Sequence, residues 1–208
     1  MDNTLTKQRN IGLLGGSFDP VHLGHLALAR EAMKCYALDE VRLLPCAQQA
    51  LKTVVPASAE DRCAMLRLAL AEEPNLTLDC REIFRGGITH SYDTVQELIQ
   101  ENPNVRFWFI LGMDSVIDFN QWYRAAELLN LCEFIAFDRP GVTRCNPVFD
   151  ERLLAHQLQG PLIDTSSTNL RRTVAMGETI SYSIPLLVER YLRDHRLYFE
   201  GNSHESDQ

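Results

Sequence analysis

His22 and His25 lie in GGSFDPVHLGHL (15–26), the segment of the chain that is densest in residues able to do chemistry. The apolar run at 11–14 predicts a buried strand that ends at two glycines, where another molecule can approach the backbone. The Asp-Pro pair at 19–20 predicts a helix start, because Asp caps helices and Pro suits the first turn. Both histidines would then share one face beside the free amides and positive dipole end of that helix. The segment therefore predicts a phosphate-binding site.

The alternative is an ordinary strand-to-helix connection that carries exposed histidines. An isolated HxxH pair would favour that interpretation. Here two glycines, a serine, an Asp-Pro pair and a further glycine between the histidines fall within twelve residues. This density favours the phosphate site over the plain connection.

A second segment, IDTSSTNLRRTVAMG, predicts another phosphate-binding arrangement late in the chain. Ser166, Ser167 and Thr168 precede a predicted helix whose second turn holds Arg171 and Arg172. Hydroxyl groups and free amides at a helix start, with an arginine one turn further on, suit a phosphate group.

Composition limits the kinds of partner. The 208 residues carry a formal charge of -8 and a pI near 5.2, which disfavours a broad surface for nucleic acid or anionic membrane. The polar opening MDNTLTKQRN has no hydrophobic targeting core and no apolar run approaches membrane-spanning length, so a cytoplasmic location is expected. The six cysteines form no CxxC pair and are expected to be reduced core thiols.

Strands and helices alternate along the chain, which predicts an α/β fold: a Rossmann-like, doubly wound parallel sheet of five or six strands. Predicted strands lie at 11–14, 40–44, 76–78, 105–111 and 134–137. Predicted helices start at 19–20, 58–61, 93–94, before 125–129, at 166–168 and at 183–185. The run VRFWFIL at 105–111 is the most apolar and is expected to be central. Residues 141–160 predict a loop or an extra helix.

The same pattern predicts one domain over 1–199, with a small helical C-terminal part at about 164–199. Residues 200–208 are polar and predict a disordered tail. A homo-oligomer is compatible with the sequence, which does not set the oligomeric state.

Five blocks between Asn10 and about Tyr198 resemble the bacterial nicotinate-nucleotide adenylyltransferases. GSFDPVHLGH is similar to the (T/H)xGH motif of the nucleotidyltransferase superfamily, a motif that does not specify the acceptor. REIFRGGITHSYDTV (81–95), the ILGMDSVIDFNQWYRAAELL block (110–129), FDRPG (137–141) and DTSSTNLRR (164–172) resemble the other family blocks.

The resemblance implies adenylyl transfer from ATP, bound with Mg²⁺, to nicotinate mononucleotide, giving deamido-NAD and pyrophosphate in NAD biosynthesis. His22 and His25 would be catalytic and would contact the reacting phosphates. The implied ATP-binding residues are Gly15, Gly16, Ser17, Phe18, Lys52, Gly112, Asp114, Ser167, Thr168 and Arg171. The implied acceptor-binding residues are Ser91, Trp122, Tyr123 and Arg139. No metal ligand from the protein is implied.

Some of these residues also suit plainer roles. Asp114 follows a strand end and is equally compatible with a helix cap, Trp122 with a core tryptophan, and Arg139 with a surface turn.

Two departures from the family pattern are clear. Gln49, Ala50 and Leu51 replace the usual Pro-Pro-His before Lys52, and His90 replaces a tyrosine beside the expected pyridine pocket. Two alternatives therefore stay open: a nucleotidyltransferase with another phosphate acceptor, and a nucleotide-binding protein that has lost turnover.

Overall fold

The computed structural model describes residues 8–49, 57–138, 150–159 and 165–199. Eight strands are present there: β1 (Arg9–Gly16), β2 (Glu40–Pro45), β3 (Gln48–Gln49), β4 (Leu76–Leu78), β5 (Ile88–Thr89), β6 (Val105–Gly112), β7 (Glu133–Asp138) and β8 (Gln157–Gln159). The helices in the same ranges are α1 (Leu23–Tyr36), α2 (Ala59–Leu70), α3 (Arg81–Arg85), α4 (Ser91–Glu101), α5 (Met113–Ile117), α6 (Ala125–Leu128), α7 (Ser167–Ala175) and α8 (Leu186–Asp194). Two 3-10 turns lie at Phe119–Gln121 and Glu151–Leu154.

Six strands form one sheet in the order β4-β2-β1-β6-β7-β8, and every neighbouring pair is parallel. β1 lies between β2 and β6, so its carboxyl end opens near the middle of the sheet. In such sheets ligands bind outside the carboxyl ends of the strands. The predicted doubly wound α/β fold is confirmed. The central position predicted for the run at 105–111 is confirmed too, because this run forms β6, one of the two middle strands of the sheet.

Alternating side chains of β1 supply two separate apolar layers, as the two-residue period of a strand requires. Ile11 and Leu13 pack with α4, α5 and α6, whereas Leu14 packs with α1, α2, α7 and α8 on the other face. A Cβ atom at Gly12 would lie 2.9 Å from methyl carbons of both Leu38 and Val41. Glycine at this position therefore lets the end of α1 pack closely on the sheet.

The first helix begins later than predicted. The Asp-Pro pair at 19–20 does not open α1; His22 takes the N-cap position and the helix starts at Leu23. The reason is that the Asp19 side chain is buried and accepts hydrogen bonds from the Ala57 amide and the Tyr198 hydroxyl. A carboxylate held in this way is not available to cap the helix that follows.

Other boundaries also move. α4 begins at Ser91 rather than at 93–94. Within 141–160, where a loop or an extra helix is predicted, residues 150–159 form a short 3-10 helix and the edge strand β8, which was not predicted. α8 begins at Leu186 rather than at 183–185, and within it Val188 and Leu192 are buried whereas Leu187 is 41% exposed.

The cysteines of the described ranges are free thiols. Cys46, Cys63 and Cys80 are buried, as expected of core thiols, but Cys35 is exposed, because it lies on the solvent side of α1 near its end. None of the helices in the described ranges is long and apolar enough to span a membrane. The single-domain boundaries stay predictions, and 200–208 lie outside the described residues.

Candidate active site

His22 and His25 stack on each other at the N-terminus of α1, with ring centroids 3.7 Å apart and planes 25° from parallel. His22 has extended backbone angles as the N-cap residue, and its backbone N–H donates to Nδ1 of His25 at 3.2 Å. Because Nδ1 accepts this bond, a neutral His25 ring carries its proton on Nε2. The helix start therefore fixes both the orientation and the tautomer of His25.

The turn between β1 and α1 is closed by Phe18. Its φ is +50°, in the left-handed region that non-glycine residues rarely adopt, and its ring is buried. A Cβ atom at Gly16 would approach this ring to 3.3 Å, and the ring edge contacts His25 at a centroid distance of 4.9 Å. Phe18 thus supports the His25 ring from within the turn.

The two predicted phosphate segments meet in space. Ser167, in the first turn of α7, donates its hydroxyl proton to the Pro20 carbonyl at 2.9 Å. Arg171 donates to the Asp19 carbonyl at 2.7 Å and lies 3.7 Å from the Asp19 carboxylate. Thr168 stands one turn earlier and accepts from Arg171 at 3.4 Å. The start of α7 is therefore joined directly to the turn that precedes the histidine pair.

Asp19 is the buried acid at this junction. Burial raises the pKa of its carboxyl, while the Tyr198 hydroxyl, Arg171, the Ala57 amide and Arg62 act in the opposite direction. Tyr198, Ala57 and Arg171 contact this carboxylate directly, and the charge of Arg62 acts on it from further away.

Two of the residues that act on Asp19, Tyr198 and Arg62, were missed by sequence reasoning. No local pattern marks Tyr198. Arg62 does carry a signal, because it shares the helical repeat of the buried Met65, Leu66 and Ala69, where an apolar residue is expected.

Two of the expected acceptor residues, Ser91 and Tyr123, lie at the start of α4. Ser91 is the first residue of this helix and follows His90, whose ring lies 4.6 Å from that of Tyr123. Tyr123 is half exposed. Trp122 is partly buried and packs edge-on against Phe109 at 6.0 Å. Trp122 therefore combines a core contact with a partly exposed ring.

Gly112 is the last residue of β6, which adjoins β1 in the sheet, and Asp114 follows in the first turn of α5. A Cβ atom at Gly112 would lie 2.4 Å from an Asp114 carboxylate oxygen and 3.2 Å from the Phe137 ring. The Asp114 side chain thus folds back over Gly112, and a larger residue at 112 would displace it. Asp114 is exposed and lies in the first turn of α5.

Lys52 and Arg139 lie outside the described residues, as do Ala50 and Leu51. The backbone of Gln49 is described and pairs with Thr89 in the small two-stranded sheet of β3 and β5. In the part of the chain that the structure describes, no group of three or more His, Cys, Asp or Glu side chains is arranged to hold a metal ion.

A parallel α/β sheet with a glycine turn and paired histidines at the carboxyl end of its first strand is the architecture of a nucleotidyltransferase. Residues 13–173 match the model of the cytidylyltransferase-like family. The chain belongs to this family and, within it, to the nicotinate-nucleotide adenylyltransferases.

Three individual similarities illustrate the relationship. A probable nicotinate-nucleotide adenylyltransferase from Synechococcus sp. (strain JA-2-3B'a(2-13)) is 38% identical over 200 residues, covering 93% of this chain and 99% of the relative. A protein of the same description from Halalkalibacterium halodurans is 42% identical over 200 residues, covering 95% of each chain. The Plasmodium falciparum nicotinic acid mononucleotide adenylyltransferase complexed with NaAD shares the fold, with a TM-score of 0.74 at 21% identity over 91% of this chain and 97% of that one.

Proposed function

We propose that this protein transfers the adenylyl group of ATP to nicotinate mononucleotide, giving deamido-NAD and pyrophosphate in NAD biosynthesis. The observation that carries the proposal is the stacked pair His22 and His25 at the start of α1, with Arg171 joined to the same turn. Family membership supports the reaction class and the acceptor.

The reaction is an in-line displacement at the α-phosphorus of ATP. A phosphate oxygen of the mononucleotide forms a bond to this phosphorus, while the bond to the bridging oxygen breaks and its electron pair leaves with pyrophosphate. No protein nucleophile is needed, so alignment and neutralisation of charge supply the catalysis. His22 and His25 are assigned this role, because imidazole N–H groups at a helix N-terminus can donate to oxygens that gain charge in the transition state.

ATP would be bound by the two joined segments. Gly15, Gly16, Ser17 and Phe18 form the turn that the triphosphate would approach, and Ser167, Thr168 and Arg171 would contact the outer phosphates. Gly112 and Asp114 would bind the adenosine ribose, and Lys52, which lies outside the described residues, is assigned to the triphosphate. Mg²⁺ would arrive as part of the substrate, held mainly by phosphate oxygens and water.

The acceptor would bind near α4. Trp122 is assigned as the platform for the pyridine ring, and backbone amides near Ser91 and Tyr123 as the groups that bind the carboxylate. Arg139 is assigned to the acceptor phosphate. Amide donors favour a carboxylate over a carboxamide, whose NH₂ group would face another donor.

The decisive experiment incubates the purified protein with ATP, Mg²⁺ and either nicotinate or nicotinamide mononucleotide, and measures the dinucleotide directly by chromatography. Deamido-NAD formed with release of pyrophosphate is the expected result. ATP binding without product from any phosphate acceptor would instead support a protein that has lost turnover, and product from a different acceptor alone would support another nucleotidyltransferase. Cytoplasmic location, homo-oligomer formation and the absence of a nucleic-acid partner stay predictions.

A further inference from the structure

Arg62 is the largest fully buried side chain among the described residues, at 1% exposure. It lies in the second turn of α2 and points into the molecule with Met65 and Leu66. Arginine is rarely buried to this extent unless its charge is paired. The position therefore calls for an explanation beyond helix packing.

The guanidinium group of Arg62 joins the ends of two neighbouring strands. It donates to the Ser17 carbonyl at 2.9 Å and to the Cys46 carbonyl at 2.8 Å, and a third bond reaches the Ala47 carbonyl at 3.3 Å. Ser17 follows β1 and belongs to the proposed phosphate turn, whereas Cys46 and Ala47 follow β2 and lead into β3. One planar side chain thus sets the spacing between both loops.

A backbone contact makes the same connection. The Cys46 N–H donates to the Gly16 carbonyl at 3.0 Å, next to the Gly16–Pro45 pair that ends the β1–β2 ladder. The start of α2 is attached to this region as well, through the Ala57 amide and Asp19. Backbone bonds therefore bring the two loops together, and the guanidinium of Arg62 adds three further bonds between them.

Within the described ranges, the bonds of Arg62 all go to neutral carbonyl groups, its Nε atom has no acceptor, and it enters no ion pair. A buried cation whose direct partners are all neutral is costly, and an anion that binds nearby relieves that cost. Burial raises the pKa of Asp19 and of Cys46, and the positive charge of Arg62 opposes both shifts, so this charge acts on its surroundings across the turn.

We propose that Arg62 is a positioning residue for adenylyl transfer: it holds the phosphate turn and the loop after β2 at a fixed spacing, and its buried charge favours the triphosphate of ATP. The role has two separable parts. The planar fork holds three carbonyls at once, which an ammonium group cannot reproduce, while the charge acts at longer range and survives replacement by lysine. The kinetic part of this inference rests on the proposed function, whereas the binding part does not.

The test compares Arg62→Lys and Arg62→Met with Arg67→Met, a matched control on the exposed side of the same helix. Calorimetry measures the binding of ATP, AMP and inorganic tripolyphosphate, and kinetics gives kcat and the KM for each substrate.

We expect Arg62→Met to weaken ATP and tripolyphosphate binding about tenfold, with AMP affinity and the KM for the mononucleotide changing less than about threefold. Arg62→Lys should regain most of the ATP affinity yet keep kcat about tenfold low. The control should match the parent protein throughout.

A purely structural Arg62 would give a different result. Both variants would then lose thermal stability but, per folded molecule, would bind ATP and turn over like the parent protein, which overturns the proposal. Equal ATP affinity in Arg62→Lys and Arg62→Met would refute the role of the charge, and a normal kcat in Arg62→Lys would refute that of the fork. If circular dichroism shows that Arg62→Met does not fold, the proposal is tested with Arg62→Lys alone, through the kcat and the tripolyphosphate affinity of this variant. A parent protein that makes no deamido-NAD overturns the proposed function, while the binding arms still test Arg62.

Discussion

The hydroxyl of Tyr198 donates a hydrogen bond to Oδ1 of Asp19, a residue 179 positions earlier in the chain. The same carboxylate oxygen accepts from the Ala57 amide at 3.3 Å. Of the influences that oppose the burial-induced rise in the pKa of Asp19, the bond from Tyr198 is the largest. The segment after α8 thus helps to fix the turn that precedes His22.

Tyr198→Phe is expected to lower the free energy of unfolding by about 1–2 kcal/mol, because it leaves a buried carboxylate short of one donor. It should also lower kcat, since the turn before His22 loses one of its anchors. Urea denaturation and steady-state kinetics measure the two effects. Tyr182→Phe is the control, because Tyr182 is 91% exposed. Equal stability of the two variants would contradict the importance of the Tyr198 bond.

His22→Ala and His25→Ala should each lower turnover about a hundredfold, equivalent to roughly 3 kcal/mol, because each removes a donor to charge that grows in the transition state. The melting temperatures of both variants should stay within a few degrees of that of the parent protein, because each variant loses only one weak contact at a helix start. His195→Ala, at an exposed histidine after α8, is the matched control. The assignment fails if turnover in both site variants remains close to that of the control.

Arg171→Ala should raise the KM for ATP about tenfold while the KM for the mononucleotide changes little, because the assigned contact is to the outer phosphates of ATP. Arg172→Ala provides the comparison, since Arg172 is the exposed neighbour in the same helix. An equal rise for both substrates would point to a general disturbance of the Asp19 turn, whose carbonyl Arg171 contacts, and away from a phosphate contact.

Nicotinate mononucleotide should be preferred over its amide by at least about tenfold in kcat/KM, equivalent to roughly 1.4 kcal/mol. Trp122→Ala should weaken use of the acceptor and leave ATP affinity nearly constant, because the ring is assigned to the pyridine. Trp122→Phe keeps an aromatic surface against Phe109 and separates stacking on the ligand from core packing. Equal rates with both mononucleotides would still support adenylyl transfer but would contradict the assignment of a carboxylate-selective pocket.

Glu40 should make stability depend on pH. Burial alone would raise its pKa, but hydrogen bonds from Thr77 and Arg42, together with the charges of Arg42 and Arg9, outweigh burial and hold the pKa below the ordinary 4.5. A lowered native pKa stabilises the fold above the unfolded value, and this stabilisation is lost as the pH falls through the native value. Glu40→Gln should therefore be less stable than the parent protein at neutral pH, with the gap closing in acid.

Urea denaturation at about pH 7 and about pH 3 measures this gap. Glu72→Gln, at an exposed glutamate, is the control and should show no comparable pH dependence. A gap of the same size at both pH values would show that Glu40 contributes through shape and not through charge.

The sequence was sufficient where local chemistry decides the structure. Ser58 caps α2 and accepts from the Asp61 amide at 3.0 Å, as the S-x-x-D pattern predicts, and the apolar run ending at Leu111 is an inner strand. The pairing of His22 with His25 also follows from their spacing at a helix start. In each case the deciding partners are only a few residues apart.

Long-range contacts explain what could not be predicted. Asp19 looks like a cap from its neighbours, yet its side chain is held by Ala57 and Tyr198, which no local pattern links to it. β3 and β5 are two residues each and exist by pairing with one another, so neither carries a periodic signal of its own. Arg62 is a polar residue at an apolar position, and only the carbonyls it meets explain its burial.

The strand order imposes a delay while the chain is being synthesised. β1 can pair with β2 soon after both leave the ribosome, but its other edge belongs to β6, which begins only at Val105. Until then a central, apolar strand presents an open hydrogen-bonding edge, the kind of surface on which nascent chains associate wrongly. The strand that carries the glycine turn therefore stays unpaired along one edge until the residues of β6 have been synthesised.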